Sequence, residues 1–256
     1  MTAAVDFAEV KLPFSFPLPT KNGQNLLYLE KRGITGELAS YFHLRCCLEG
    51  WWNFIDEDGK PSGQKFDNRI IIPVFNLDGD LVTFQGRDLS GTSAKKYLFP
   101  KMLPGTGRYL YNGQNFGKAK RAVLGEGAFD VAAIKLAFDE DESLRDIAPM
   151  GTFGKHLSYG QDDGTDQLGA LLELKRRGLE EVTIMWDGEW KALISALDAC
   201  RQIQRIGLRS RVALLPAGKD PNEVPGHVVR QAFYKAHPYS AKTDVKFRLR
   251  NPFRNQ

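Results

Sequence analysis

Cysteine is scarce: Cys46, Cys47 and Cys200 are the only three in 256 residues, and no two have CxxC spacing. A disulfide framework and a zinc ribbon are both excluded, and a reducing, cytoplasmic interior is the natural compartment. Long hydrophobic runs are missing as well. Nothing approaches the roughly 18 apolar residues of a membrane-spanning helix, and no charged leader precedes an apolar stretch at the N-terminus, so no membrane partner is expected. Nor is there a large excess of either charge. The 35 Lys and Arg against 31 Asp and Glu leave a net +4. Residues 241–256 account for that excess alone, with Lys242, Lys246, Arg248, Arg250 and Arg254 against Asp244. Such a tail reads as a solvated, frayed terminus or as a nucleic-acid contact.

What is present is a chain that can bury a sizeable core, with 42% hydrophobic residues. The segment 1–23 contains three prolines, Pro13, Pro17 and Pro19, and no sustained period, which predicts an extended arm without a catalytic part. A short helix is expected over 25–32, closed by Gly33, and a second capped by Thr35 through Tyr41. Next come short alternating runs at 51–55, 69–75 and 81–87, separated by the turn dipeptides Asp58-Gly59 and Asp78-Gly79. These predict a small antiparallel sheet, with Pro73 placing its strand at an edge or a bulge. Residues 90–117 form a long glycine-rich connection carrying Lys95, Lys96, Tyr97, Lys101, Arg108, Tyr109 and Tyr111, which reads as a ligand-facing loop or equally as a flexible link between two subdomains.

After residue 119 strands and helices alternate. Strands are expected at 122–124, 147–150, 182–186 and 211–215, with helices at 128–138, 168–177 and 190–206. Leu193, Ala196, Leu197, Cys200 and Ile203 share one face of the last helix. This pattern defines an α/β fold with a mainly parallel sheet flanked by helices. The division reads as an arm (1–23), a mixed α+β basic subdomain (24–118), an α/β subdomain (119–240) and a basic tail (241–256).

Acidic residues fall where the strands end: Gly125-Glu126-Gly127 with Asp130 one turn later, Asp187-Gly188-Glu189, and Asp220 in Gly218-Lys219-Asp220-Pro221-Asn222. In open α/β sheets ligands bind beyond the carboxyl ends of strands. Carboxylates gathered there repel one another unless cations neutralise them, and an all-oxygen donor set favours Mg²⁺ or Mn²⁺ over zinc. A single acidic helix start would read as a dipole complement, but three in successive units point to a site. Dinucleotide binding is rejected because Asp130 stands where a third glycine would let backbone approach pyrophosphate. A Walker loop also fails, since Gly113 and Gly117 have one spacer too few and Ala119 replaces the hydroxyl.

The ordered succession of these motifs resembles the Toprim-fold catalytic core of bacterial and bacteriophage DnaG-type DNA primases. Gly125-Glu126-Gly127-Ala128-Phe129-Asp130 resembles the family's glutamate-glycine motif, Met150-Gly151-Thr152 its next strand end, and Trp186-Asp187-Gly188-Glu189 its Asp-Gly-Asp. Tyr28 to Thr35 resembles the helical entry to the family's polymerase core, and Arg69 to Phe75, Phe84 to Arg87, Lys95 to Leu98 and Gly107 to Tyr111 resemble its basic subdomain. Departures are Glu189 for an aspartate, Asn222 for an aspartate, Thr106 for a lysine, and the run Trp190 to Ala192.

The resemblance implies synthesis of short RNA primers on single-stranded DNA from nucleoside triphosphates, with two or more Mg²⁺ or Mn²⁺ ions. Asp187, Glu189 and Asp130 would hold metal, Glu126 would hold metal or assist proton transfer, and Asp220 would support them. Arg69, Arg87, Lys96 and Arg108 would contact template or nucleotide, and Tyr97, Tyr109 or Tyr111 would stack on bases or pack. The family's zinc-binding and helicase-binding modules have no counterpart here, so a separate zinc-binding module and a replicative helicase are expected partners, in a bacterial cell or phage-infected host. His43, Cys46 and Cys47 are mis-spaced for a zinc ribbon and read as packed side chains. Two alternatives stand beside this reading: a Toprim metal-dependent nuclease, and a nucleic-acid-binding replication factor of weakened catalysis. A topoisomerase is excluded for want of strand-passage domains.

Overall fold

The computed structural model describes residues 10–253; residues 1–9 and Arg254 of the basic tail lie outside them. The chain divides into two compact units between Thr106 and Gly107 rather than after residue 118. Residues 107–118 belong with the second unit: Tyr111 bridges Gly151, and Asn112 Nδ2 donates to Pro149 O at 2.8 Å.

The first unit contains β1 (Phe16–Pro17), α1 (Leu27–Glu30), α2 (Gly36–Tyr41), β2 (Arg45–Cys47), β3 (Trp51–Ile55), β4 (Pro61–Lys65), β5 (Arg69–Phe75), β6 (Leu81–Asp88) and β7 (Tyr97–Leu98). Five of these strands form an antiparallel sheet in the order β1-β2-β5-β6-β7, while β3 and β4 make a separate hairpin. The arm is thus tied into the sheet, with Phe16 paired to Cys46. Gly59 and Gly79 adopt φ of 77° and 92°, as the two hairpin turns require. Thr35 caps α2 as expected, its hydroxyl accepting from Leu38 N.

Pro73 lies in a central strand, yet the proline rule survives. β2 reaches only Arg69, Ile70 and Ile71, so Pro73 has no ladder partner on that side, and a bulge follows at Val74/Phe75. Phe66, Phe84 and Ile71 are fully buried in the core, and the Cys47 thiol packs with them. Burial, then Asp67 and Cys46, push that thiol up to about 11, as for a packed side chain.

The second unit contains β8 (Arg121–Gly125), α3 (Ala128–Asp139), β9 (Ile147–Gly151), α4 (Gln167–Arg176), β10 (Glu181–Ile184), α5 (Trp190–Arg205), β11 (Arg209–Val212), α6 (Gly226–Tyr234), β12 (His237–Pro238) and α7 (Ala241–Leu249). Its sheet runs β12-β11-β10-β8-β9, parallel throughout except for β12 at the edge. The core packs Ile134, Phe138, Ile147, Leu215 and Phe233 between sheet and helices, and all five expected residues of the α5 face are buried. The expected frayed tail is corrected: α7 is a helix, capped by Ser240, whose Arg248 pairs with Asp198 at 2.6 Å and Asp244 at 3.1 Å. Asp244, itself nearly buried, also meets Arg201 at 3.3 Å, which ties α7 to α5.

Candidate active site

Local rules place the acidic side chains. β8 ends at Gly125, whose narrow space, with Asp130 Cβ 3.3 Å from where a methyl would lie, lets α3 begin close to the strand. Asp130 turns back to accept from Gly127 N at 2.8 Å, closing the helix start. After β10 the chain turns through Asp187-Gly188-Glu189 into α5. Gly188 N donates to Lys219 O at 2.8 Å and Gly218 N to Gly188 O at 2.9 Å, so the loops after β10 and β11 are laced together. That lacing brings Asp220, at the head of the turn Pro221–Glu223, into the electrostatic reach of Asp187.

All five carboxylates expected in the site lie in the second unit and feel one another. Glu126 is pushed up to about 7 by burial first and then by Asp187, with Lys155 opposing. Asp130 is held well above the usual carboxylate range by burial and then Asp220, despite its bond from Gly127. Burial, then Glu223 and Asp187, raise Asp220 too, and its Oδ1 is buried with no hydrogen-bond partner among the described residues. In all three, burial is the largest cause and the charges of neighbouring carboxylates add to it.

One residue absent from the sequence reading occupies the middle of this cluster. Lys155 Nζ lies 2.8 Å from Asp187 Oδ2, 2.9 Å from Glu189 Oε2 and 3.7 Å from Glu126 Oε2. Burial would lower its pKa, but the bonds to Asp187 and Glu189 prevail and raise it, so it is charged. Its position three residues beyond the strand-end motif Met150-Gly151-Thr152 is the signal that could have found it.

The basic residues are placed differently. Arg69 is buried, and its guanidinium donates to Gly86 O at 3.0 Å, Lys95 O at 3.1 Å and Ser93 Oγ at 2.9 Å. It ties the β6–β7 connection down, so a phosphate contact would have to replace those bonds. Arg87 stacks 4.9 Å from the Tyr97 ring centroid and 5.8 Å from that of Tyr28, and Lys96 is exposed. Arg108 belongs to the second unit, where it pairs with Asp163 and donates to Thr165 O. Tyr109 and Tyr111 are buried, which favours packing over base stacking.

A DNA primase of Halalkalibacterium halodurans is 27% identical over 250 residues, covering 87% of this chain and 39% of the relative. One of Geobacillus stearothermophilus is 32% identical over 174 residues, covering 65% of this chain and 26% of the relative. Among solved structures, a DnaG primase catalytic domain bound to single-stranded DNA superposes with a TM-score of 0.64 at 21% identity, covering 86% of this chain and 74% of that one. The chain is similar in sequence to these primases and has the fold of the DnaG primase catalytic core. It spans well under half the length of these curated primases. No protein-family model matches it.

The five carboxylates are all oxygen donors, the orphaned Asp220 Oδ1 among them, so the residue set suits a hard divalent cation. As they stand, no three acidic, histidine or cysteine side chains among the described residues close on one point tightly enough to ligate an ion. The Lys155 ammonium holds Asp187 and Glu189 instead.

Proposed function

We propose that the chain is the catalytic core of a DNA primase that makes short RNA primers on single-stranded DNA. The observation that carries this reading is the convergence of Glu126, Asp187 and Glu189 on one ammonium at the carboxyl ends of parallel strands, in a primase-core fold. In the proposed reaction the 3′-hydroxyl of one ribonucleotide attacks the α-phosphorus of the next triphosphate, forming a phosphodiester and releasing pyrophosphate.

Asp187, Glu189 and Asp130 would hold Mg²⁺ or Mn²⁺, with Asp220 in support; two such ions, when bound, supply charge neutralisation at the attacking and leaving oxygens. Glu126, poised near 7, suits acceptance of the hydroxyl proton at neutral pH or a share in metal binding. Burial of Asp130 and Phe129 at the head of α3 keeps bulk water from that side of the cluster. Arg87 and Lys96 supply fixed positive charge for template phosphates, which binds without sequence choice. Arg69 would act by positioning the loop that carries Lys95 and Lys96, and Arg108 would serve the nucleotide on leaving Asp163. The single-stranded DNA in the solved primase domain and the zinc-binding modules of the family make template DNA and a separate zinc-binding polypeptide the partners to test, with a replicative helicase.

The test is incorporation of labelled ribonucleotides on single-stranded DNA with Mg²⁺ or Mn²⁺, with zinc-module and helicase partners supplied. Glu126→Gln should lower incorporation by about a hundredfold or more, the usual scale for losing a proton acceptor or metal ligand. Unchanged incorporation would refute the site, and metal-dependent cutting of the template without synthesis would move the answer to a nuclease.

A further inference from the structure

Nucleotidyl transfer as outlined leaves Lys155 without a task, yet the fold goes to some length to place it. Thr152 is fully buried and fixes the loop: its N–H donates to Gly125 O at 3.1 Å, its hydroxyl to Gly154 O at 2.7 Å, and its carbonyl accepts from Gln167 Nε2 at 2.7 Å. Phe153 follows at φ 53°, in a left-handed conformation that bulky side chains rarely adopt, with its ring 5.2 Å from that of Tyr111. A loop pinned at its buried end and turned this sharply delivers the next side chain to one place. That place is the centre of the carboxylates, where the lysine is half-buried.

A divalent ion held by the same oxygens would sit about 2.0 to 2.6 Å from each of them, which is the volume the ammonium fills. Two like charges cannot share it, because at such separations their repulsion is large even at an effective dielectric constant of about 20. The ammonium meanwhile supplies part of the neutralisation that would otherwise draw an ion in. We propose that Lys155 is a tethered counter-ion that competes with the divalent cation for the oxygens of Glu126, Asp187 and Glu189. Metal enters the site only as the ammonium leaves, so the lysine sets the cation concentration at which the site loads. This rests on the reading that these carboxylates hold metal, and it concerns binding rather than the chemical step.

The experiment is Mn²⁺ titration of the full chain by calorimetry and by electron paramagnetic resonance of the free ion, at about pH 7.5 and low ionic strength, where charge competition is least screened. Lys155→Gln should bind Mn²⁺ about tenfold or more tightly than the native chain, and Lys155→Arg, which keeps the charge, should stay near the native affinity. Melting curves establish that each variant is folded. A second readout uses the native chain alone: the Lys155 side-chain carbon resonances should move toward those of a freely solvated lysine on addition of Mg²⁺. Equal or weaker Mn²⁺ binding by Lys155→Gln, or resonances that stay put at saturating Mg²⁺, would overturn the proposal. If native binding is abolished by Glu126→Gln and Asp187→Asn but unchanged by Lys155→Gln, the lysine's role fails and the metal reading stands. If no Mn²⁺ binding depends on Glu126 or Asp187, both fall.

Discussion

Gly188 is the position where fold and site are most tightly joined, and Gly188→Ala tests the connection. A methyl there would lie 2.0 Å from Pro216 O, 2.8 Å from Pro216 C and 3.0 Å from Leu215 O. All three are backbone atoms, so no rotamer change relieves the overlap. Restoring ordinary contact requires the loops after β10 and β11 to part by more than about 1 Å, an overpacking that typically costs about 1–3 kcal/mol. The same movement breaks or stretches the bonds from Gly188 N to Lys219 O and from Gly218 N to Gly188 O, each contributing about 0.5–1.5 kcal/mol. Together these give a loss of about 2–6 kcal/mol, a large share of a typical domain's stability. Urea unfolding followed by circular dichroism measures it. Gly105→Ala is the control, since a methyl there meets nothing within 4 Å, and it should stay within about 0.5 kcal/mol of the native chain. Because Gly188 is flanked by Asp187 and Glu189, the proposed primer synthesis should fall with stability. A Gly188→Ala unfolding curve superimposable on the native one would refute the argument that close backbone approach holds the acidic loops together.

Two further outcomes are expected from the same geometry. Asp130→Asn keeps an oxygen for Gly127 N while removing a charge repelled by Asp220, Asp187 and Glu126; melting in chelator should show it at least as stable as the native chain, with Asp130→Ala lower by about 0.5–2 kcal/mol for the lost cap, and equal losses for both would refute the capping role. His237 is depressed below 6.5 by burial first and then by Lys246 and Arg211, so its contribution is full above pH 6.5 and lost as pH falls through the folded value; His237→Gln should flatten the decline in melting temperature on acidification below pH 6.5, and an unchanged profile would show that the ring titrates as in the unfolded chain.

Much of this arrangement is legible in the sequence, for reasons that can be named. The β8-to-β11 alternation is visible because apolar runs mark β8, β9 and β10 and a helical period is clear in α5, whereas β11 is Arg209-Ser210-Arg211-Val212 and begins two residues before the apolar run 211–215 that points to it. The acidic loops are visible because glycines flank them at strand ends. Strand limits shift where propensity does not control pairing: the apolar run predicts a strand over 182–186, but β10 stops at Ile184, where the chain leaves the ladder to form the acidic loop. β4 escapes sequence reasoning because Pro61-Ser62-Gly63-Gln64-Lys65 has no apolar alternation and is held by its partner β3. α7 reads as a tail because its charges suggest solvation; Asp198, on a helix far away in sequence, makes the difference. Arg69 shows the same blindness in reverse, since only tertiary structure turns an apparently exposed cation into a buried tether.

Lys155 is the deepest instance of that limit, and it alters how the acidic cluster should be understood. A count of carboxylates at strand ends suggests an assembly that waits for metal to become tolerable. The structure supplies an internal cation instead, so Asp187 and Glu189 are paired in the folded chain, while burial and the charges of their acidic neighbours raise Asp130 and Asp220. The ammonium is bonded to Asp187 and Glu189 rather than to Asp130 or Asp220, on whose side the orphaned Asp220 Oδ1 lies. A divalent cation that is to use the oxygens of Asp187 and Glu189 must therefore displace the lysine. The extra methylene of Glu189 gains a physical meaning here: with its side chain about half exposed, it reaches the ammonium at 2.9 Å alongside Asp187 at 2.8 Å, a pairing that a shorter aspartate on the same backbone would make less readily.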